Sequence, residues 1–171
     1  MGYDLNNIKR FVKDLKRKSG LDKKNVLEYS DLEKLVKDLK GEIALKKFET
    51  VTDGEIVFKD RERFTIFINE NKNDKETLAA MIGHLFLHTK FFEEYPENYK
   101  DSCFERGPAY AGEKKEAAFF GLELLIDTDY FLKELYKNAE NRRADINKVS
   151  EILGVSKKSI EEKGLFYGVF K

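Results

Sequence analysis

The sequence is poor in several residue types, and each absence limits the fold. It has no tryptophan, two prolines and one cysteine in 171 residues. A single cysteine, Cys103, cannot form an internal disulfide, which fits a reducing compartment and leaves the core to stabilise the fold. The chain also lacks a net charge, because Lys plus Arg and Asp plus Glu number 32 each. No overall field therefore draws it to nucleic acid or to a membrane surface.

Long apolar runs are missing as well. No stretch approaches the roughly 18 apolar residues that a membrane-spanning helix needs. The first residues, 1–7, lack the apolar centre of a signal peptide. A length of 171 residues suits one domain. We therefore expect a single soluble domain, 1–171, that is cytoplasmic and does not bind membranes.

The hydrophobic pattern that is present predicts an α+β fold. Three short β-branched and aromatic runs, at 43–45, 56–58 and 64–68, predict a small antiparallel sheet of about three strands packed on a helical bundle. Residues 78–87 contain no charged side chain, which predicts a buried central helix. The predicted segments are N-terminal helices at 1–40, the sheet at 42–70, the central helix at 74–90, a loop at 91–112, a helical region at 113–138 and C-terminal helices at 142–168.

The central helix carries both histidines of the chain, His84 and His88. A helix with the pattern His-Glu-x-x-His binds zinc through its histidines and uses the glutamate as a general base. In this chain Ala80 stands four residues before His84, and Met81 stands where the glutamate would be. A methyl group cannot bind a metal, and a thioether cannot accept a proton near neutral pH. The pattern therefore predicts a helix of this type without its catalytic groups.

Three segments together resemble the ImmA/IrrE family of zincin-like metallopeptidases. They are residues 77–88, which read TLAAMIGHLFLH, residues 113–127, which read EKKEAAFFGLELLID, and residues 145–156, which read DINKVSEILGVS. The resemblance covers about residues 20–168 and implies a zincin-like fold. It also implies that the helix beginning near 113 supplies the third zinc ligand. That ligand position falls on Lys114, the family's asparagine falls on Ala118, and its closing proline falls on Asp127.

The resemblance implies a metallopeptidase homologue that has lost catalysis. Catalytic zinc normally has three protein ligands and one open position, and His84 alone does not provide that set. Lys114 would repel the ion. We therefore expect no cofactor and no catalytic residue, and we expect the protein to act by binding a protein such as a repressor or a related peptidase. The family context suggests regulation of phage or mobile elements.

An alternative is a metal-dependent peptidase with a rearranged site. His84 and His88 are one helical turn apart and could hold zinc together with Glu113 or Glu116, which flank the lost ligand position. Against this, acidic residues are common in the first turn of any helix. The same four residues also suit a core or a vestigial pocket without a metal.

A second alternative is DNA binding through the C-terminal segment. Residues 146–160 have the pattern of a helix, a glycine turn and a second helix, as in a helix-turn-helix. Glu161 and Glu162 stand where base-reading residues would be wanted, so nucleic acid is the less favoured partner. The basic residues that could contact phosphates are Arg142, Arg143, Lys148, Lys157, Lys158 and Lys163.

The loop at 91–112 is both polar and aromatic. Aromatic side chains on loops are frequent anchors of protein interfaces, although they can equally cover a local core. A loop between the two predicted site helices would lie over the cleft, where a peptide could also add to the edge of the sheet. The predicted partner-binding residues are Phe91, Phe92, Tyr95, Tyr99, Phe104 and Tyr110.

Overall fold

The computed structural model describes residues 4–49, 51–60, 62–89 and 111–170, and their architecture is α+β. The six aromatic residues predicted to bind a partner lie outside these ranges, as does Cys103. The elements are, in order, α1 (Leu5–Lys18), α2 (Tyr29–Asp38), β1 (Gly41–Lys46), β2 (Gly54–Phe58), β3 (Phe64–Asn69), α3 (Lys75–His88), α4 (Ala111–Leu125), α5 (Thr128–Lys137), β4 (Ala139–Glu140), β5 (Arg143–Ala144), α6 (Ile146–Leu153) and α7 (Lys157–Phe166).

The three-stranded sheet has the order β1-β3-β2, with β3 in the middle. Strands β2 and β3 form the antiparallel hairpin that the sequence predicts, closed by the Lys59 amide, which donates to the Arg63 carbonyl at 2.9 Å. The prediction of an entirely antiparallel sheet is wrong, because β1 pairs parallel with β3. Because β3 lies between β1 and β2, the segment that joins β1 to β2 has to cross the position of β3. A hydrophobic pattern indicates where strands occur but not in which direction they run.

The central helix α3 is buried, as predicted. Leu78, Ile82 and Leu85 are fully buried, and they belong to the same core as the sheet residues Ile56 and Ile66. Apolar residues on several sides of α3 can all be buried because the sheet lies on one side of the helix and α4 on another. The absence of charge between residues 78 and 87 is therefore explained by this position.

Helices α3 and α4 pack antiparallel and unusually close. A Cβ atom on Gly83 would lie 2.7 Å from the Ala117 carbonyl oxygen, and one on Gly121 would lie 2.9 Å from the Ala80 nitrogen. These are backbone atoms, so neither glycine can carry a side chain unless the helices separate. Small residues at the crossing thus set the distance between the two helices that the sequence predicts to form the site.

The C-terminal helices pack back onto the centre of the molecule. Helix α6 ends at Gly154, whose φ of 61° is left-handed, and α7 follows with Ser156 as its N-cap. Helix α7 begins against α3 and contacts α4 further along, through Glu123. No helix in the described ranges is long and apolar enough to cross a membrane.

Candidate functional site

An open cavity of about 860 Å³ lies where α3, α4 and α7 meet. Ala80 lines it from α3, and Lys114 and Ala118 line it from α4. These are the positions at which the resemblance puts the first ligand, the third ligand and the asparagine. Residues that are more than thirty positions apart in the sequence therefore meet at one cavity. The rest of its lining is Leu5, Asp53, Lys72, Asp74, Glu76, Thr77, Lys115, Gly121, Leu122, Leu125, Ser156, Lys158, Ser159, Glu162, Leu165 and Phe166.

Met81, at the position of the general base, does not line this cavity. It is buried, and its sulfur lies 3.1 Å from where a Cβ atom of Gly54 would be, so it packs against β2. Ala80 and Met81, the two substituted positions of the helix pattern, therefore have different surroundings. Met81 fills space beneath the sheet, whereas the space beside Ala80 is open.

The two histidines and Glu116 form a hydrogen-bonded chain. The Nδ1 atoms of His84 and His88 are 3.0 Å apart, and His88 Nε2 is 3.0 Å from a carboxylate oxygen of Glu116. With neutral rings, His88 donates through Nε2 to Glu116, and its Nδ1 then accepts from the Nδ1–H of His84. His84 is 5% exposed and, like His88, does not line the cavity. The histidines therefore lie at the far end of α3 from the opening.

These residues do not fit a zinc ion. Both ring nitrogens of His88 already take part in the chain to His84 and Glu116, so binding a metal through His88 would break one of those contacts. Glu113 has no hydrogen bond to either histidine within the described ranges. In the same part of the chain, no group of three His, Cys, Asp or Glu residues is placed to hold a metal. At the positions that the resemblance assigns to the first ligand, the third ligand and the asparagine, the cavity presents the methyl groups of Ala80 and Ala118 and the ammonium of Lys114.

Glu76, which the sequence analysis did not single out, connects the first turn of α3 to the start of α7. Its Oε1 accepts from the Ser156 amide at 2.9 Å and from the Ser156 hydroxyl at 2.7 Å, and it also accepts from the Ser159 hydroxyl. A carboxylate at a helix N-terminus satisfies amides that have no partner within the helix and is favoured by the helix dipole. Because the partners are 80 residues apart, no local pattern could have revealed this contact.

A second unpredicted feature is a buried ion pair between α7 and α4. Lys163 Nζ lies 2.6 Å from Glu123 Oε1, and Glu123 also accepts from the Tyr167 hydroxyl at 2.8 Å. Burial lowers the pKa of Lys163 and raises that of Tyr167. The sequence contained one signal for the burial of Lys163. It lies three residues after Ile160, and this spacing places both side chains on the same side of α7.

The buried ion pair changes the interpretation of the C-terminal segment. Helices α6 and α7 with Gly154 between them do form a helix, turn and helix. Lys163, however, is fully buried and cannot contact a phosphate. Glu76 occupies the N-terminus of α7, the end that a recognition helix directs towards the bases. The other basic residues of this segment, Arg142, Arg143, Lys148, Lys157 and Lys158, are exposed.

No protein-family model matches this chain, and no curated protein matches it.

Proposed function

We propose that this chain is a zincin-like, catalytically inactive homologue of the ImmA/IrrE metallopeptidases that acts by binding a protein partner. The observation that carries the proposal is the meeting of Ala80, Lys114 and Ala118 at one open cavity. These side chains offer no metal ligand and no general base. The place where the resemblance puts catalysis therefore still has space for a ligand but lacks the chemistry to cleave it.

The cavity has the size of a binding site, and its lining is partly apolar and partly charged. Its volume of about 860 Å³ falls within the range of roughly 300–1,000 Å³ that is usual for ligand sites, which are mostly apolar with a few polar groups. Leu122, Leu125, Leu165 and Phe166 provide apolar walls. A side chain and adjoining backbone of a bound protein segment would fit such a space. A repressor or a related peptidase remains the proposed class of partner.

Metal analysis tests the loss of catalysis. Wild-type protein is supplied with zinc and then washed with a mild chelator. We expect it to retain no zinc, because the lining of the cavity provides no set of metal ligands. The double variant Ala80→His with Lys114→Glu places two ligands at the cavity, and the ring of His84, one turn further along α3, has to turn away from His88 to complete the set. We therefore expect the variant to retain more zinc than the wild type, although less than one ion per chain. The matched control is Ala80→His with Lys148→Glu. Its glutamate makes the same change of charge outside the cavity lining, and we expect no retention.

The opposite pattern would count against the proposal. If wild-type protein keeps zinc in equal proportion and loses it on His84→Ala, the chain is a metalloprotein and the proposed loss of the metal site is refuted.

Peptide selection tests the binding role. A displayed library of random peptides is selected on the purified protein and rescreened on Ala118→Phe, which fills the cavity, and on Leu165→Asp. Leu165 is 56% exposed, so its variant should fold even if Ala118→Phe does not. We expect both variants to lose the selected peptides, whereas Ile152→Phe, at an exposed position outside the cavity, should retain them. Equal binding by all of these proteins would refute a binding role for the cavity.

A further inference from the structure

We infer that the cavity binds a peptide carboxylate that lies next to an apolar side chain, with Lys114 and Lys115 as the cations that hold it. The inference rests on the proposed function, because it names the chemistry of the partner segment at the same cavity. It commits to a protein ligand whose carboxylate comes from an acidic side chain or from a chain end.

The first argument is the pairing of charges around the cavity. Its lining contains four lysines and four acidic residues, so the formal charges cancel, but the pairing is uneven. Lys72 Nζ lies 2.5 Å from Asp53, and Lys158 Nζ lies 3.7 Å from Glu162. These four residues therefore neutralise one another.

The other two acidic residues, Asp74 and Glu76, accept hydrogen bonds at the N-termini of helices. Asp74 accepts from the Thr77 amide at 2.7 Å as the N-cap of α3, and Glu76 accepts from the start of α7. A carboxylate bonded to the amides of a helix N-terminus is offset by the positive end of the helix dipole. Neither acid has an ion pair with Lys114 or Lys115 in the described part of the chain. Among the described residues of the lining, the positive charges of Lys114 and Lys115 thus have no carboxylate partner.

The second argument is the position of these two lysines. Both lie near the start of α4, where the helix dipole adds positive potential. Lys115 Nζ is 5.9 Å from the centre of the Phe166 ring, and Phe166 is itself part of the apolar wall. A ligand that places a carboxylate between Lys114 and Lys115 therefore brings its neighbouring group against Phe166 and Leu165. That arrangement selects an acidic group beside an apolar one.

Fluorescence anisotropy with three sets of labelled short peptides tests the inference. All contain Leu and Phe. The first carries acidic side chains and an amidated end, the second carries only a free terminal carboxylate, and the third carries lysines and an amidated end. We expect the first or second set to bind at least about tenfold more tightly than the third. Whichever set binds identifies the source of the carboxylate.

Charge-reversal variants locate the interaction. Lys114→Glu with Lys115→Glu changes two exposed side chains and should weaken binding of the carboxylate peptides by about tenfold or more. The matched control is Lys148→Glu with Lys157→Glu, which makes the same change of net charge outside the cavity lining. We expect that control to bind as the wild type does.

Two outcomes would overturn the inference, and they are distinguishable. If all three sets bind equally and Leu165→Asp abolishes binding, the cavity binds peptides without selecting a carboxylate, and only the inference fails. If neither these sets nor any library-selected peptide binds, the proposed binding function fails as well.

Discussion

Lys163 and Glu123 show how much a single buried pair can contribute to stability. Lys163 is fully buried and Glu123 is 7% exposed. Removing one member leaves the other charge buried without its counter-ion. Such a change typically costs about 3–5 kcal/mol, whereas replacing both members by apolar residues is often neutral.

We therefore expect Lys163→Met to lower the free energy of unfolding by about 3–5 kcal/mol. The double variant Lys163→Met with Glu123→Leu should recover most of that loss. Urea denaturation followed by circular dichroism measures both. A single variant as stable as the wild type would show that the pair does not stabilise the fold.

The lowered pKa of Lys163 gives a pH dependence with a definite sign. In the unfolded chain a lysine keeps its proton up to its ordinary pKa of 10.5. Between the lowered folded pKa and that value, the unfolded state binds more protons, so stability increases with pH. We expect the free energy of unfolding of the wild type, relative to the double variant, to increase as the pH rises towards 10.5. A difference that stays flat or falls would contradict the direction of the shift.

The histidines illustrate what a sequence can reveal at this scale. The spacing of His84 and His88 shows that both lie on one stripe of a buried helix. It does not show that His88 contacts Glu116 on another helix, because that contact depends on how α3 and α4 are packed. The sequence alone was enough to match Ala80, Met81 and Lys114 to the ligand and base positions of the family pattern. It was not enough to show which of the three line an open cavity.

At the level of elements, the crossing of α3 and α4 depends on residues without side chains. Glycine is normally unfavourable within a helix by up to about 1 kcal/mol relative to alanine. Gly83 and Gly121 lie in helices nevertheless, because a Cβ atom at either position would meet backbone atoms of the neighbouring helix. Close packing here outweighs helix propensity.

We expect Gly83→Ala to destabilise the protein by about 1–3 kcal/mol, because overpacking forces the helices apart. The control is Gly112→Ala in α4, where an added Cβ has no atom of the described residues within 4 Å. That variant should be neutral or more stable by up to about 1 kcal/mol. Thermal unfolding of the two variants tests this difference, and equal melting temperatures would refute the close-packing argument.

Glu76 provides a second prediction at this scale. Glu76→Gln keeps the shape of the side chain but removes the charge at the N-terminus of α7. We expect the free energy of unfolding to fall by about 1–2 kcal/mol. Amide hydrogen exchange should increase over that of the wild type in α7 and should increase less in α5. Unchanged exchange at residues 157–160 would show that Ser156 alone suffices as the cap.

The elements themselves were largely predictable, and their arrangement was not. The longer helices and the strands of the three-stranded sheet appear near where hydrophobic periodicity and turn residues predict them, because those signals are local. The short antiparallel pair β4 and β5 was not predicted, and β5 lies within the segment 142–168 that was predicted as helices. The direction of β1 depends on the path of the segment before β2, which no periodicity encodes. The cavity likewise depends on contacts between residues far apart in sequence, such as Glu76 with Ser156.

At the scale of the whole molecule, the balance of charge has a measurable consequence. With 32 basic and 32 acidic residues, little electrostatic repulsion separates one copy from another near neutral pH. We expect solubility at low ionic strength to be lowest near neutral pH and to rise on either side. The Lys148→Glu with Lys157→Glu variant should be more soluble than the wild type at pH 7, which precipitation assays can measure. Equal solubility would show that local patches dominate.

The composition of the cavity lining has one more consequence, which concerns the order of events during synthesis. The lining begins at Leu5 in α1 and ends at Phe166 in α7, and it takes residues from α3 and α4 between them. A growing chain can fold α1 to α4 while the ribosome is still making α6, but the wall formed by Ser156, Leu165 and Phe166 does not yet exist. The cavity is therefore completed only after α7 has been made, and under the proposed function a nascent chain binds its partner only from that point on.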